Sequence, residues 1–496
     1  MPAQTFSICD DSPKKPRTLV LCFDGTADHF DGKNTNVVKL YALLKKEDNE
    51  QLCYYQPGIG TYLNPGVVSP LFQWGAKVLD QAVAWYLEAH VRGGYRFLMQ
   101  NYQPGDKICL FGFSRGAYTA RALAGMLHKI GLLPTGNAEQ IPFACKLYKQ
   151  TGPANARLAA GFKRTFCRTV QIEFVGVWDT VASVGTLFSR TLPFIANNTT
   201  IKTFRHALAL DEHRAKFRPN LYHHPTPPAQ ANDKTARQQN VASPPPADRT
   251  PRKDSSQRFS RGILRQALRK RSMNQGSSGE GWATLPTANA DLGWSQESEK
   301  AEEIVNGTDV LEVWFAGCHC DIGGSAVGDD EKLALSDITL RWMVRQIVAS
   351  QCGIVFDQAE LLRANIPDSI FGFPVTPPLE EKRLRDDPSS STEGSGEQIP
   401  VERPAVLDKM NAVQPMHDQL KQIPVWWLLE VTPTSYNWQE PNGRWHTGWS
   451  VHLGKGRHLP PNPYYHITVK ERMQDKALRY RPRAILQHGS EIKYVD

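Results

Sequence analysis

The five residues Gly112-Phe113-Ser114-Arg115-Gly116 set a hydroxyl nucleophile between two glycines at the spacing Gly-x-Ser-x-Gly. A serine hydroxyl is a weak nucleophile, and enzymes that use one place it on a sharp strand-to-helix turn beside a general base. Small residues are needed on both sides of such a turn, where strand and helix approach closely; Gly112 and Gly116 supply them. The flanks fit as well. Lys107 to Phe113 is an apolar run that reads as a buried strand, and Ala117 to Ile130 is rich in alanine and leucine and reads as a helix. The chemistry implied is acyl transfer through an ester on Ser114; the competing reading is a structural turn serine.

A general base and an orienting acid should follow in the order Ser, acid, His, each at the end of a later strand. Asp179 follows Phe174-Val175-Gly176-Val177-Trp178, and His319 follows Val313-Trp314-Phe315-Ala316-Gly317. Both read as loop starts opening on one cleft, with His319 taking the Ser114 proton and Asp179 holding the imidazole. The plainer alternatives are a helix N-cap before Thr180 for Asp179 and a polar loop residue beside Gly323 and Gly324 for His319. Asp321 is a rival acid, better suited to shaping the loop through backbone contacts. An oxyanion hole needs backbone N–H donors. Arg115, after the nucleophile, offers one, and the Gly25-Thr26 turn offers another, with Asp24 fixing that turn. Cys318 and Cys320 flank His319, but no second Cys/His cluster has matching spacing, so neither metal nor organic cofactor is expected.

These residues need strands to carry them. Arg17 to Phe23 reads as a buried strand opening at Asp24, and Gln51 to Gln56 as a second. Leu71 to Tyr102 has helical apolar spacing, with Val78, Ala82, Trp85 and Leu87 among its core positions. Thr169 to Trp178 reads as a strand, Phe204 to Phe217 as a helix, and Val310 to Gly317 as a strand. Strands alternating with helices predict an α/β fold, a mostly parallel sheet covered on both faces.

At 496 residues the chain exceeds the roughly 250–300 residues that one core usually serves. The catalytic core is assigned to 16–224 and 304–373, after a polar tail, 1–15. Residues 225–303, rich in Pro, Ser, Gln, Asn, Lys and Arg, read as a mostly disordered basic insertion. Residues 374–404 form a polar linker, and 405–496 a Trp-rich portion expected to pack on the core. That portion and the loop Gly58 to Gln73 are candidates for covering the cleft.

The net charge of +8 matches the eight basic residues between Arg252 and Arg271, leaving the folded remainder near neutral. That argues against a nucleic-acid-binding face. Within 258–271, Ile263, Leu264, Ala267 and Leu268 fall on one side of a helix whose other side is basic. A solvated charge run and a membrane-surface contact both stay open. Nine scattered cysteines, several in apolar runs, read as reduced thiols. With no leader pattern and no membrane-span-length apolar window, a cytoplasmic protein is expected, peripheral to a membrane if 258–271 docks.

Taken together the motifs resemble the DUF2235 family of α/β-hydrolase domains, which includes the catalytic domain of Tle1-type phospholipase effectors and many fungal proteins. The matching residues are Phe23-Asp24-Gly25-Thr26, Asn34-Thr35-Asn36, Tyr55 to Thr61, Gly112 to Arg121, Gly176 to Val181, Ala209 to Arg214, and Glu312 to Phe315 through His319, Asp321 and Gly323-Gly324. The resemblance covers 17–222 and 304–345. It implies an α/β-hydrolase fold, a triad on Ser114, Asp179 and His319, and esterase or phospholipase activity. One departure is Cys320, where the family commonly has serine. Phe23-Asp24-Gly25-Thr26 is also similar to the first motif of haloacid-dehalogenase-type phosphatases, but Cys22 stands where that family's nucleophilic aspartate would be. The function expected is hydrolysis of a lipid or phospholipid ester; the competing function is a catalytically silent module recruited through its basic insertion.

Overall fold

Every residue of β1 (Thr18–Phe23) is buried. Leu19, Leu21 and Phe23 point into one apolar cluster, while Val20 and Cys22 point into another. A strand buried on both faces can only lie inside a sheet covered by helices on each side, the condition met by parallel sheets. The computed structural model describes residues 16–25, 28–46, 49–58, 76–181, 198–222, 307–371, 404–439 and 445–496. These all belong to one unit, formed by residues 1–227 and 306–496.

Among the described residues the remaining strands are β2 (Gln51–Gln56), β3 (Lys107–Phe113), β4 (Ile172–Trp178), β5 (Ile201–Ala209), β6 (Asp309–Phe315), β7 (Thr434–Gln439), β8 (Trp445–Ser450), β9 (Tyr464–His466) and β10 (Lys493–Val495). Eight form one sheet in the order β10-β9-β6-β5-β4-β3-β1-β2. Every pairing within it is parallel. β7 and β8 form a separate antiparallel pair.

The α-helices among the described residues are α1 (Asn36–Leu43), α2 (Ala76–Asn101), α3 (Ser114–Ile130), α4 (Ile141–Lys149), α5 (Pro153–Phe166), α6 (His319–Gly323), α7 (Leu335–Ser350), α8 (Gln358–Arg363), α9 (Pro404–Ala412), α10 (Gln419–Gln422), α11 (Trp427–Glu430) and α12 (Ile467–Gln474). Side chains of α2 to α5 share the cluster of Leu19 and Leu21. Those of α1, α7, α8 and α9 share the cluster of Val20 and Cys22. Both faces of the sheet are therefore covered, and the strand ends collect at one edge, as a parallel arrangement requires.

Two expectations need correcting. Phe204 to Phe217 is not a helix: its first part belongs to β5, and the rest is loop. A central parallel strand has no polar face and so no alternating pattern, and the alanines and leucines of this run favour helix on intrinsic propensity alone. Burial on both sides overrides that preference. The C-terminal portion also does more than pack on the core, because β9 pairs with β6 and extends the sheet. Smaller shifts occur at strand ends: β4 starts at Ile172 rather than Thr169, β6 ends at Phe315 rather than Gly317, and α3 begins at Ser114 itself. The tail 1–15, the insertion 225–303 with 258–271, nearly all of the Gly58 to Gln73 loop and the linker before Pro404 lie outside the described residues.

Phe111 in β3 is fully buried, with the Phe174 ring centroid 5.6 Å from its own. A Phe111→Ala chain is expected to lose about 3–5 kcal/mol of stability, read as a lower midpoint in urea unfolding with an unchanged slope.

Candidate active site

The turn after β3 is tight because the following helix starts at once. A Cβ on Gly116 would lie 2.2 Å from Phe23 O and 2.4 Å from Asp24 O, and one on Gly112 would lie 2.5 Å from Gly116 O. No side chain fits at either position, so both glycines are required by the crossing of β3, β1 and α3. Between them Ser114 takes φ +57°, a left-handed conformation that non-glycine residues seldom adopt. The turn aims its hydroxyl out of the strand end, and the residue stays buried.

Ser114 Oγ lies 2.8 Å from His319 Nε2, and His319 Nδ1 lies 2.5 Å from Asp179 Oδ2. The three side chains come from the ends of β3 and β4 and from the first residue of α6, separated by up to 205 positions. Asp179 does not cap a helix. It sits at φ +38° directly after β4, and its Oδ1 accepts Ala209 N–H at 3.0 Å. His319 opens a five-residue helical turn rather than a loop. Its ring lies between Phe113 and Phe217, with centroids 4.6 and 4.9 Å away.

Asp179 is wholly buried, and burial alone would raise its carboxyl pKa. The Arg457 charge and the hydrogen bonds from His319 and Arg457 outweigh that penalty and hold it well below the usual carboxylate range. Arg457 grips it as a fork, Nη1 to Oδ1 at 2.6 Å and Nη2 to Oδ2 at 2.9 Å. The same guanidinium donates to Ala209 O and Phe217 O. His319 is shifted the other way: burial lowers its pKa below that of free imidazole, despite the raising effect of Asp179. With Asp179 ionised, Nδ1 carries the proton it donates to the carboxylate. Nε2 is then left as the acceptor facing the Ser114 hydroxyl.

The turn bearing His319 is held from three sides. Glu212 Oε2 accepts His319 N–H at 3.2 Å, and Glu212 is itself gripped by Arg214 at 2.8 and 2.9 Å. Asp211 Oδ2 accepts Gly317 N–H at 2.8 Å and the Tyr480 hydroxyl at 2.7 Å. Asn36, at the start of α1, donates to Ile322 O, Ser336 O and Thr339 Oγ1, tying α6 to α7. Asp321 has the loop-shaping part: its Oδ2 accepts Cys318 N–H at 2.9 Å, and Oδ1 lies 2.8 Å from His417 Nδ1. It makes no contact with the far ring nitrogen of His319.

Asp24 is buried and fixes the β1 turn by accepting from Gly25 N–H, the Thr35 hydroxyl and the Tyr55 hydroxyl, at 2.7 to 2.8 Å. This corrects the expectation for Gly25. Its N–H already donates to Asp24, so it is not an open donor for an oxyanion; what it supplies is space, since a Cβ there would lie 2.2 Å from Asp28 Oδ2. Thr26 lies outside the described residues. Arg115 N–H belongs to the first turn of α3, where amides lack an intrahelical acceptor. Among the described residues no group of three His, Cys, Asp or Glu side chains is placed to hold a metal ion.

Sequence reasoning missed Arg457 and the Glu212–Arg214 pair. Glu212 and Arg214 stand in the run Ala209 to Arg214, already notable as a motif, though their partners could not be read from it. Arg457 lies 278 residues beyond Asp179, with only the flanking Gly454 and Gly456 to mark a tight bend.

Compared with known proteins, residues 17–346 match the family described as T6SS, Phospholipase effector Tle1-like, catalytic domain. An uncharacterised protein of Saccharomyces cerevisiae is 30% identical over 550 residues, covering 94% of this chain and 80% of that protein. Of solved structures, an uncharacterised protein from Pseudomonas aeruginosa is similar at 19% identity and a TM-score of 0.33, over 72% of this chain and 50% of that one. The Tle1 effector bound to the VgrG spike from the Type 6 secretion system is similar at 21% identity and a TM-score of 0.23, over 44% and 51%. The chain thus spans about half the length of these two structures.

Arg457→Met would leave a buried carboxylate without its cation, and a loss of about 3–5 kcal/mol at neutral pH is expected. The folded-state pKa of Asp179 lies below its unfolded value, so its contribution is present above about pH 4 and drains away as pH falls further. In the variant the buried carboxyl has lost its cation and takes up a proton more readily, with His319 and Ala209 N–H still beside it. The unfolded state is common to both chains, so urea titrations over a pH series should show the gap between variant and parent narrowing as pH falls through the higher Asp179 pKa of the folded variant.

Proposed function

The chain belongs to the family of Tle1-like phospholipase effector catalytic domains, and on that premise we propose that it is a serine hydrolase that cleaves the acyl ester of a lipid or phospholipid. Membership itself implies a hydrolase. The observation that carries the finer reading is the unbroken path from Ser114 Oγ through both nitrogens of His319 to the Asp179 carboxylate.

In this reading Ser114 Oγ attacks the ester carbonyl as His319 Nε2 takes its proton, forming a tetrahedral adduct. The imidazolium is stabilised by Asp179, which Arg457 keeps ionised and correctly turned. The adduct collapses as His319 returns the proton to the leaving alcohol, and Ser114 is left acylated. Water, deprotonated by the same nitrogen, then releases the fatty acid and restores the hydroxyl. Arg115 N–H faces the developing oxyanion from the helix start, where the dipole of α3 favours negative charge. The aromatic walls of Phe113 and Phe217 keep the imidazole dry and in register. Each of these roles is available without a metal or organic cofactor.

A fluorophosphonate probe should label the parent on Ser114 and leave Ser114→Ala unlabelled, with ester turnover in that variant reduced by roughly 10⁴-fold or more. Equal p-nitrophenyl ester turnover by the two chains would instead favour a silent interaction module. Asp179→Asn should cost roughly 10⁴-fold in kcat, by favouring the wrong imidazole tautomer, and about 3–5 kcal/mol of stability as well, because buried Arg457 loses its counter-charge. Because burial lowers the His319 pKa, the base stays neutral into mildly acidic solution. The acid limb of the kcat/KM profile should then have its midpoint below about 6.5, the free imidazole value.

A further inference from the structure

Between α9 and β7 the chain turns an apolar surface outward. Val425 is 62% exposed and Leu428 67%, and Ile423, Trp427 and Val431 are exposed beside them. Leu453 joins this surface, because its N–H bonds Glu430 O. These short turns are nonetheless anchored. Glu430, buried, accepts from Ala215 N–H and Gly454 N–H, and its carboxylate lies 2.7 Å from His452 Nδ1. A firmly held segment that presents six large apolar side chains to solvent is unusual for a surface with no partner.

The position of the surface points to the partner. Trp426, between Val425 and Trp427, packs edge-on against Phe217 with centroids 5.5 Å apart, and Phe217 packs in the same way on the His319 ring. The apolar surface is therefore one aromatic ring removed from the wall of the site. Charge gives the second argument. Within 419–433 and 449–458 the exposed titratable side chains are Lys421, Lys455 and His458, while Glu430 is buried; the acid bordering them, Asp418, is mostly covered and lies 3.6 Å from Lys421 Nζ. Aliphatic side chains, a tryptophan and a lysine rim are the combination that settles at an anionic bilayer surface, with the apolar groups among the acyl chains and the ammonium groups at the phosphates.

We infer that the segment Ile423 to Val431, with Leu453, docks the enzyme on an anionic lipid bilayer and sets the mouth of the Ser114 site against the interface from which an acyl ester enters. The inference rests on the lipid-ester reading above. It assigns a membrane contact to this surface, independent of any made by residues 258–271.

Sedimentation with vesicles of phosphatidylcholine containing phosphatidylglycerol tests it. The full chain carrying Ser114→Ala is used, so that the lipid stays intact. Val425→Asp with Leu428→Asp, both at exposed positions, should lower partitioning by at least about tenfold, the equivalent of one buried aliphatic side chain. In the chain with Ser114 restored, the same pair should slow turnover of the vesicle ester to a similar degree and leave turnover of soluble p-nitrophenyl butyrate unchanged. Residues 258–271 are intact throughout, so vesicle binding by the double variant equal to the parent would overturn the assignment. A parent chain that does not sediment with vesicles but dimerises through this surface, and becomes monomeric in the double variant, would overturn it too. If the parent binds vesicles yet hydrolyses no ester, docking stands and the hydrolase reading falls. If it hydrolyses soluble ester without binding vesicles, the reverse holds.

Discussion

One buried carboxylate sets the terms for the rest of this molecule. Asp179 has no exposure to solvent, and an isolated carboxylate in such a place would take up a proton rather than stay charged. It stays charged because Arg457 meets both of its oxygens and Ala209 N–H meets one of them. The guanidinium then uses its remaining donors on Ala209 O and Phe217 O. A single cation thereby joins the end of β4, the end of β5, the loop that supplies an aromatic wall of the site, and the C-terminal portion of the chain. Pairs of this kind add little net stability against a well-packed apolar alternative, but removing one partner is costly. The arrangement therefore specifies geometry more than it strengthens the fold.

Around that pair the backbone is held in conformations it would not choose. Ser114 and Asp179, the two residues that finish β3 and β4, both have positive φ. Such strain persists only where the surroundings over-determine it. Here they do, through the crossing at Gly112 and Gly116 and through the fork of Arg457. His319 is placed with similar redundancy, by Glu212 at its amide, by Asp321 at the amide before it and by two aromatic rings at its imidazole. The sheet contributes the common edge; the loops contribute the angles.

Much of this was legible from residue order. Buried parallel strands such as Leu19 to Phe23 and Ile108 to Phe113 announce themselves as short apolar runs, and a serine between two glycines at a strand end announces a sharp turn. β5 was not legible, since Phe204-Arg205-His206-Ala207-Leu208-Ala209 carries helix-favouring residues and no alternation, and only packing between β4 and β6 decides its state. The strands β9 and β10 were hidden for a different reason: three residues each, they have too little length for any period to show. Arg457 could not be found because a salt bridge leaves no local trace, and one arginine among many looks like any other until the fold brings it to Asp179. Gly25 illustrates the converse. Its motif marked the right turn, but which atom the turn leaves open depends on where the Asp24 carboxylate points.

The distance between Asp179 and Arg457 along the chain also orders events in time. Ribosomes add roughly 5–20 residues per second, so the 278 residues between them take on the order of 15–55 seconds to appear. Through that interval β1 to β6 can pair, yet the carboxylate at the end of β4 has no cation to neutralise it and no reason to leave water. The ion pair that fixes the carboxylate of the proposed triad can therefore form only after Arg457 has been made and the segment around it has folded back. For a protein proposed to cut membrane lipids, a chain that stops short of Arg457 lacks the cation that holds Asp179 ionised.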